Sequence, residues 1–152
     1  MCLFSDELKN KIMKLHTQTL FVKEHGTGNC YQTTLACLLD VEIYHLPNIE
    51  AWFDFEDWFE LLQNFLKQKF EVIEVASQDL IDWHINKSKG SVTPFPDRFE
   101  NIEYMVSDLS PRGIQHVVIY RNGEMIHDCH PDRSGVIISE KCYCSYLEKI
   151  SQ

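Results

Sequence analysis

No run of about 18 apolar residues occurs in this 152-residue chain, so a membrane-spanning helix is not expected. A basic N-terminal region with an apolar core behind it is also missing. The opening Met1-Cys2-Leu3-Phe4-Ser5-Asp6-Glu7 does not read as a secretory leader, and a cytoplasmic setting with no membrane partner is expected. Positive charge is scarce. Fourteen lysines and arginines stand against 23 acidic residues, giving a net charge of −9 and a pI near 5.2. That balance repels phosphate backbones and argues against a nucleic-acid partner. Internal repeats and low-complexity tracts are absent as well. What is present is 44% hydrophobic and 12% aromatic, with 24% charged, the composition of a folded globular chain. The length suits one domain over residues 1–152, able to bury a core without disulfides or metals.

Six cysteines are present: Cys2, Cys30, Cys37, Cys129, Cys142 and Cys144. An even count could mean three disulfides in a secreted domain, but without a leader reduced thiols are expected. Along the chain, residues 5–15 read as a short helix and 17–22 as a strand. Asn29 is placed to cap a helix over 30–39, and residues 54–69 carry a strong helical stripe of Phe55, Trp58, Phe59, Leu62, Phe65 and Leu66. Strands are expected at 70–75, 102–106 and 114–120, with a short helix at 79–85. The segment around Arg121-Asn122-Gly123 reads as a hairpin returning along 124–128, and short strands could add at 136–138 and 141–146. Helices first and paired strands second predict an α+β fold, N-terminal helices packed on an antiparallel sheet.

Chemistry concentrates at Cys30. It follows a glycine-rich loop and opens a helix, where unpaired N–H groups and the positive end of the helix dipole favour thiolate. Such positions lower a cysteine pKa from about 8.5 into the range of roughly 3.5–7.5. Cys37, two turns on in an apolar stretch, reads as core. A nucleophilic thiolate needs a base and the base an orienter. His116, at the start of an apolar strand, is the candidate base. A two-residue hairpin loop at Asn122-Gly123 would set His116 opposite Cys129; a three-residue loop would set it opposite Asp128. Asp128 is the candidate orienter, although a turn residue bonding its own backbone ahead of Pro131 would look the same. For the oxyanion, the Cys30 N–H is well placed, and Gln18 is the only glutamine upstream; Gln32 projects elsewhere.

The run Gly28-Asn29-Cys30-Tyr31-Gln32-Thr33-Thr34-Leu35-Ala36-Cys37-Leu38-Leu39 followed by Leu46-Pro47-Asn48 resembles the start of small papain-like cysteine hydrolases of bacteria and phages, relatives of the C39-like bacteriocin-processing peptidases. Ser110-Pro111-Arg112-Gly113, His116-Val117-Val118-Ile119-Tyr120, Asn122-Gly123 and His127-Asp128-Cys129-His130-Pro131 resemble their second signature. The resemblance covers residues 18–48 and 110–135, under half of the chain. It implies a papain-like fold with Cys30 as nucleophile, His116 as base and Asp128 as orienter. Two departures are Gln18, farther upstream than the family's glutamine, and Cys129, where a proline often follows the aspartate. The implied reaction is cleavage of a peptide or amide bond in a peptide, protein or small amide substrate through a Cys30 thioester, with no cofactor or metal. Pocket walls are expected from the aromatic middle segment and the 110–113 turn, with Trp52, Trp58 and Trp83 mainly in the core. Two rival functions remain. One is a zinc module using His127, Cys129, His130, Cys142 and Cys144, although the H-x-C-H and C-x-C spacings are unusual for zinc. The other is a catalytically silent binding protein on the same scaffold.

Overall fold

A computed structural model describes residues 13–150. The chain is α+β. Helices α1 (Val22–His25), α2 (Cys30–Leu39), α3 (Trp58–Phe70) and α4 (Gln78–Ser88) accompany strands β1 (Val72–Ala76), β2 (Glu103–Leu109), β3 (Gln115–Arg121), β4 (Glu124–His127) and β5 (Tyr143–Lys149). The strands form one antiparallel sheet in the order β1-β5-β2-β3-β4.

Both faces of this sheet are covered. Leu35 and Ala36 of α2 and Leu62 and Leu66 of α3 pack with Val72, Met105, Val117 and Leu147 on one face. Leu80 of α4 packs with Tyr104, Val106, Val118 and Tyr146 on the other. Neighbouring residues such as Met105 and Val106, or Val117 and Val118, therefore serve opposite cores, which is why the central strands read as unbroken apolar runs rather than alternating ones. Leu62 and Leu66 lie one turn apart and are fully buried, with Lys67 and Lys69 at the C-terminal end of α3. The edge strand β1 is protected by Gln63, whose amide bonds both the N–H and the C=O of Glu74 at 2.9 and 2.7 Å.

Several local expectations change. Residues 17–20 form no strand, because the N–H groups of Thr19 and Leu20 are taken by the Asn29 side chain. The helix expected over 5–15 falls largely outside the described residues; residues 13–15 are irregular. Helix α3 starts at Trp58, since residues 53–57 continue the tight turns begun at Ile49–Trp52. Residues 136–138 join no ladder, although Ile137 N–H reaches Leu109 C=O at 2.8 Å. The hairpin has a two-residue loop, Asn122 and Gly123, both with positive φ (54° and 84°), and Arg121 pairs with Glu124. A bulge then shifts the register, so that Ile119 faces His127.

Candidate active site

The site forms where the start of α2 meets the start of β3 and the loop after β4. Cys30 is the first residue of α2 and is 8% exposed. Asn29 occupies the cap position but does not cap the helix with its side chain. Its Oδ1 accepts from Thr19 N–H (3.1 Å) and Leu20 N–H (2.9 Å), and its Nδ2 donates to Thr19 Oγ1 at 2.9 Å. Asn29 thereby ties the segment carrying Gln18 to the helix that carries Cys30. That segment is also held from the other side: Gln18 N–H donates to Cys129 C=O (2.9 Å), and the His127 ring bonds His16 C=O (2.8 Å). Gln32 points away and bonds the carbonyls of Ile43 and Leu46.

His116 and Asp128 are in direct contact, Nε2 to Oδ1 at 2.6 Å, and both are buried. Neither hairpin register considered from sequence predicts the route. The bulge and the turn after β4 bring the two side chains together. Asp128 also bonds within its own turn: Oδ1 accepts from His130 N–H and Oδ2 from Gly135 N–H, both at 2.8 Å. The turn bonds and the bond to His116 therefore coexist. Burial alone would raise the Asp128 carboxyl, but the bond and charge of His116 and the two N–H donors hold it below the ordinary carboxylate range. An ionised Asp128 can only accept, so the proton of the shared bond sits on His116 Nε2, which selects the tautomer with Nδ1 as acceptor whenever the ring is neutral.

The thiol departs from expectation. Cys30 Sγ donates to Glu50 Oε1 at 2.9 Å, and its hydrogen bond goes there and not to His116. The same oxygen accepts from Tyr31 N–H at 3.2 Å. Burial, then the Glu50 charge, then Cys129 push the Cys30 thiol well above its ordinary value; the N–H of Val117 works weakly the other way. These effects favour the thiol, against the thiolate the helix start suggests. Glu50 is the residue that sequence reasoning missed. Its signal was faint: an acid just past Leu46-Pro47-Asn48, in a turn of its own. Gly28 is explained by the same group, since a Cβ there would sit 3.1 Å from Glu50 Oε2.

Cys30, His116 and Glu50 line one cleft with two lobes. The first, about 380 Å³, includes Gln18, Phe21, Lys23, Arg112 and His130. The second, about 560 Å³, includes Tyr31, Phe53, Trp58, Phe59, Glu74 and Tyr143. The aromatic middle segment and the 110–113 turn thus supply walls as expected, but Trp58 lines the cleft as well as packing on the core. Gln18 reaches the cleft with one amide N–H on Leu20 C=O (2.9 Å), which leaves its second N–H to give.

The suggested zinc residues are dispersed. Cys142 and Cys144, with sulfurs 3.8 Å apart, belong to the core on the far face of the sheet, whereas Cys129 packs in the near one. Among the described residues, potential metal ligands gather at His116, Asp128 and Cys129, with ligand atoms within 4.8 Å of one another. A metal there would have to break the His116–Asp128 bond and ionise Cys129, whose thiol burial pushes up to about 12. The five described cysteines are all free, and Cys37 lies in the core as expected. Among the described residues, no helix is long and apolar enough to cross a membrane. In comparisons with family models, curated proteins and solved structures, none matches this chain.

Proposed function

We propose that the protein is a papain-like cysteine hydrolase that cleaves a peptide or amide bond through a Cys30 thioester. The observation that carries this reading is one cleft lined by a cysteine at a helix start and by a histidine whose far nitrogen is held by a buried aspartate at 2.6 Å. The sequence resemblance assigns the same three residues. The mechanism requires Sγ to leave Glu50 for His116, by rotation about the Cys30 Cα–Cβ bond. Nδ1 of His116 accepts the thiol proton as sulfur attacks the carbonyl carbon. The oxyanion is received by the Cys30 N–H, which the helix start leaves without an intrahelical partner, and by Gln18 Nε2. His116 then gives its proton to the departing amine as the C–N bond breaks. Water, deprotonated by His116, resolves the thioester to acid and thiol.

One observation favours a second reading. Burial and Glu50 keep the sulfur protonated, which suits a catalytically silent binding protein on this scaffold. Brief treatment with a thiol-directed electrophile near neutral pH, followed by mass spectrometry, separates the two. The hydrolase labels first at Cys30, and His116→Ala removes the fast phase. A silent protein labels Cys30 slowly and equally in both. Cys30→Ala is expected to abolish amide hydrolysis while leaving thermal unfolding within a few degrees of wild type.

A further inference from the structure

The two lobes of the cleft differ in charge. Lys23 and Arg112 stand along the first together with the carboxylates Glu24 and Glu50. Among the described residues no lysine or arginine lines the second, which holds two carboxylates, Glu50 and Glu74. Its walls are aromatic. Phe53 and Trp58 lie 4.7 Å apart between centroids, and Tyr31 meets each of them edge-on. Phe53, Phe59 and Tyr143 are each more than a third exposed, so ring surface faces the opening.

Glu74 is the unusual member. It is 3% exposed yet lines this lobe. Its side-chain partners, the hydroxyls of Tyr31 and Ser145, are neutral. Its backbone is fixed on both sides, by β5 and by Gln63. Burial holds this carboxyl above the ordinary range. With no basic group beside it among the described residues, this carboxyl is costly to ionise, and a cation entering the lobe would offset that cost. Aromatic faces beside it favour the same kind of guest, because their quadrupoles attract cations and their surface takes an apolar stem.

We infer that the aromatic lobe is a specificity subsite for a cationic side chain on an aliphatic stem, an ammonium of the lysine type, with Glu74 as the counter-charge. The inference rests on the hydrolase reading and names the substrate class of that site. Two chloroacetamide probes of equal length test it, one ending in a primary ammonium and the other in a methyl group. Alkylation of Cys30 is followed by mass spectrometry at pH 7.5 in wild type and in Glu74→Gln. The ammonium probe is expected to label Cys30 about tenfold faster or more, as a desolvated cation with a carboxylate and aromatic partners implies. Glu74→Gln should shrink that ratio toward one. Equal rates for the two probes in wild type, or a faster methyl probe, would overturn the subsite and leave the hydrolase reading standing. Labelling of Cys30 by neither probe in the native protein, with the Cys30 peptide labelled normally after denaturation, removes the hydrolase reading and the subsite with it. The wild-type ratio decides the matter even where Glu74→Gln fails to fold.

Discussion

Glu50→Gln is the sharpest test of the electrostatics at Cys30. The amide keeps the shape and an acceptor oxygen for the bonds from Cys30 Sγ and Tyr31 N–H, so the change removes a charge and little else. The thiolate is the nucleophile, and a carboxylate 2.9 Å from the sulfur opposes its formation. Two unit charges about 4 Å apart repel by about 4 kcal/mol at an effective dielectric near 20. Glu50 is only partly buried, so solvent screening leaves roughly a third of that. About 1.4 kcal/mol is tenfold in thiolate population. A more stable thiolate is also a weaker nucleophile, with a Brønsted slope of about 0.4–0.5, so the net gain in rate is roughly threefold. The assay is pseudo-first-order alkylation of Cys30 by iodoacetamide between pH 6 and 9, read on the Cys30 peptide. The sign is fixed: removing the acid lowers the thiol's pKa, so the rate profile moves toward lower pH. An unchanged or slower rate at pH 7, or a profile moved toward higher pH, would refute the role assigned to Glu50.

Asp128→Asn should lower amide hydrolysis by on the order of 10³–10⁴, because an amide can donate to His116 Nε2 and force the proton onto Nδ1; steady-state kinetics check it. The same carboxyl titrates below its ordinary value, so its stabilisation is complete above about pH 4 and is lost as pH falls through its folded pKa. Urea midpoints measured from pH 5 down to pH 2 should therefore fall less steeply in Asp128→Asn than in wild type. Asn29→Ala leaves the N–H groups of Thr19 and Leu20 without their acceptor at a cost of about 1–3 kcal/mol each, and urea unfolding should show a loss of roughly 2–6 kcal/mol. Gly123→Ala would put a Cβ 2.4 Å from the Trp83 ring at φ +84°, whereas Gly90→Ala meets nothing within 4 Å at φ +91°. Both carry backbone strain, but only the first overpacks, so thermal unfolding should place it about 1–3 kcal/mol below the second.

Elements stabilised by their own local pattern were legible in the sequence. Helix α2 begins and ends at the predicted residues, and the apolar run of β3 and the turn at Asn122-Gly123 are where the pattern puts them. Misread segments owe their shape to distant partners. Residues 17–20 have strand-like composition, but their N–H groups are claimed by Asn29, about ten residues later, and by Cys129, more than a hundred residues later. The bulge in β4 has no signature in the run Glu124-Met125-Ile126-His127, and it decides what faces His116. Asn29 was legible by position and misread by role: a cap residue whose side chain has a stronger claim elsewhere stops being a cap.

The pairing of His116 with Asp128 was legible because each needs a specific chemical type at a specific kind of position. Glu50 was not, because its effect on Cys30 depends on a distance, and no spacing rule links residues 30 and 50. Helix-dipole reasoning gave the wrong sign for the resting thiol for a physical reason. The dipole at a helix start acts as about half a unit charge, but here it competes with desolvation of a sulfur only 8% exposed and with a full negative charge in hydrogen-bond contact. Both opposing effects are set by the neighbours that fill the cleft. A cationic group entering the aromatic lobe would face Glu50 as well as Glu74. By drawing the Glu50 charge toward itself it would weaken the hold of Glu50 on Cys30. Substrate binding and thiol activation would then be electrostatically coupled.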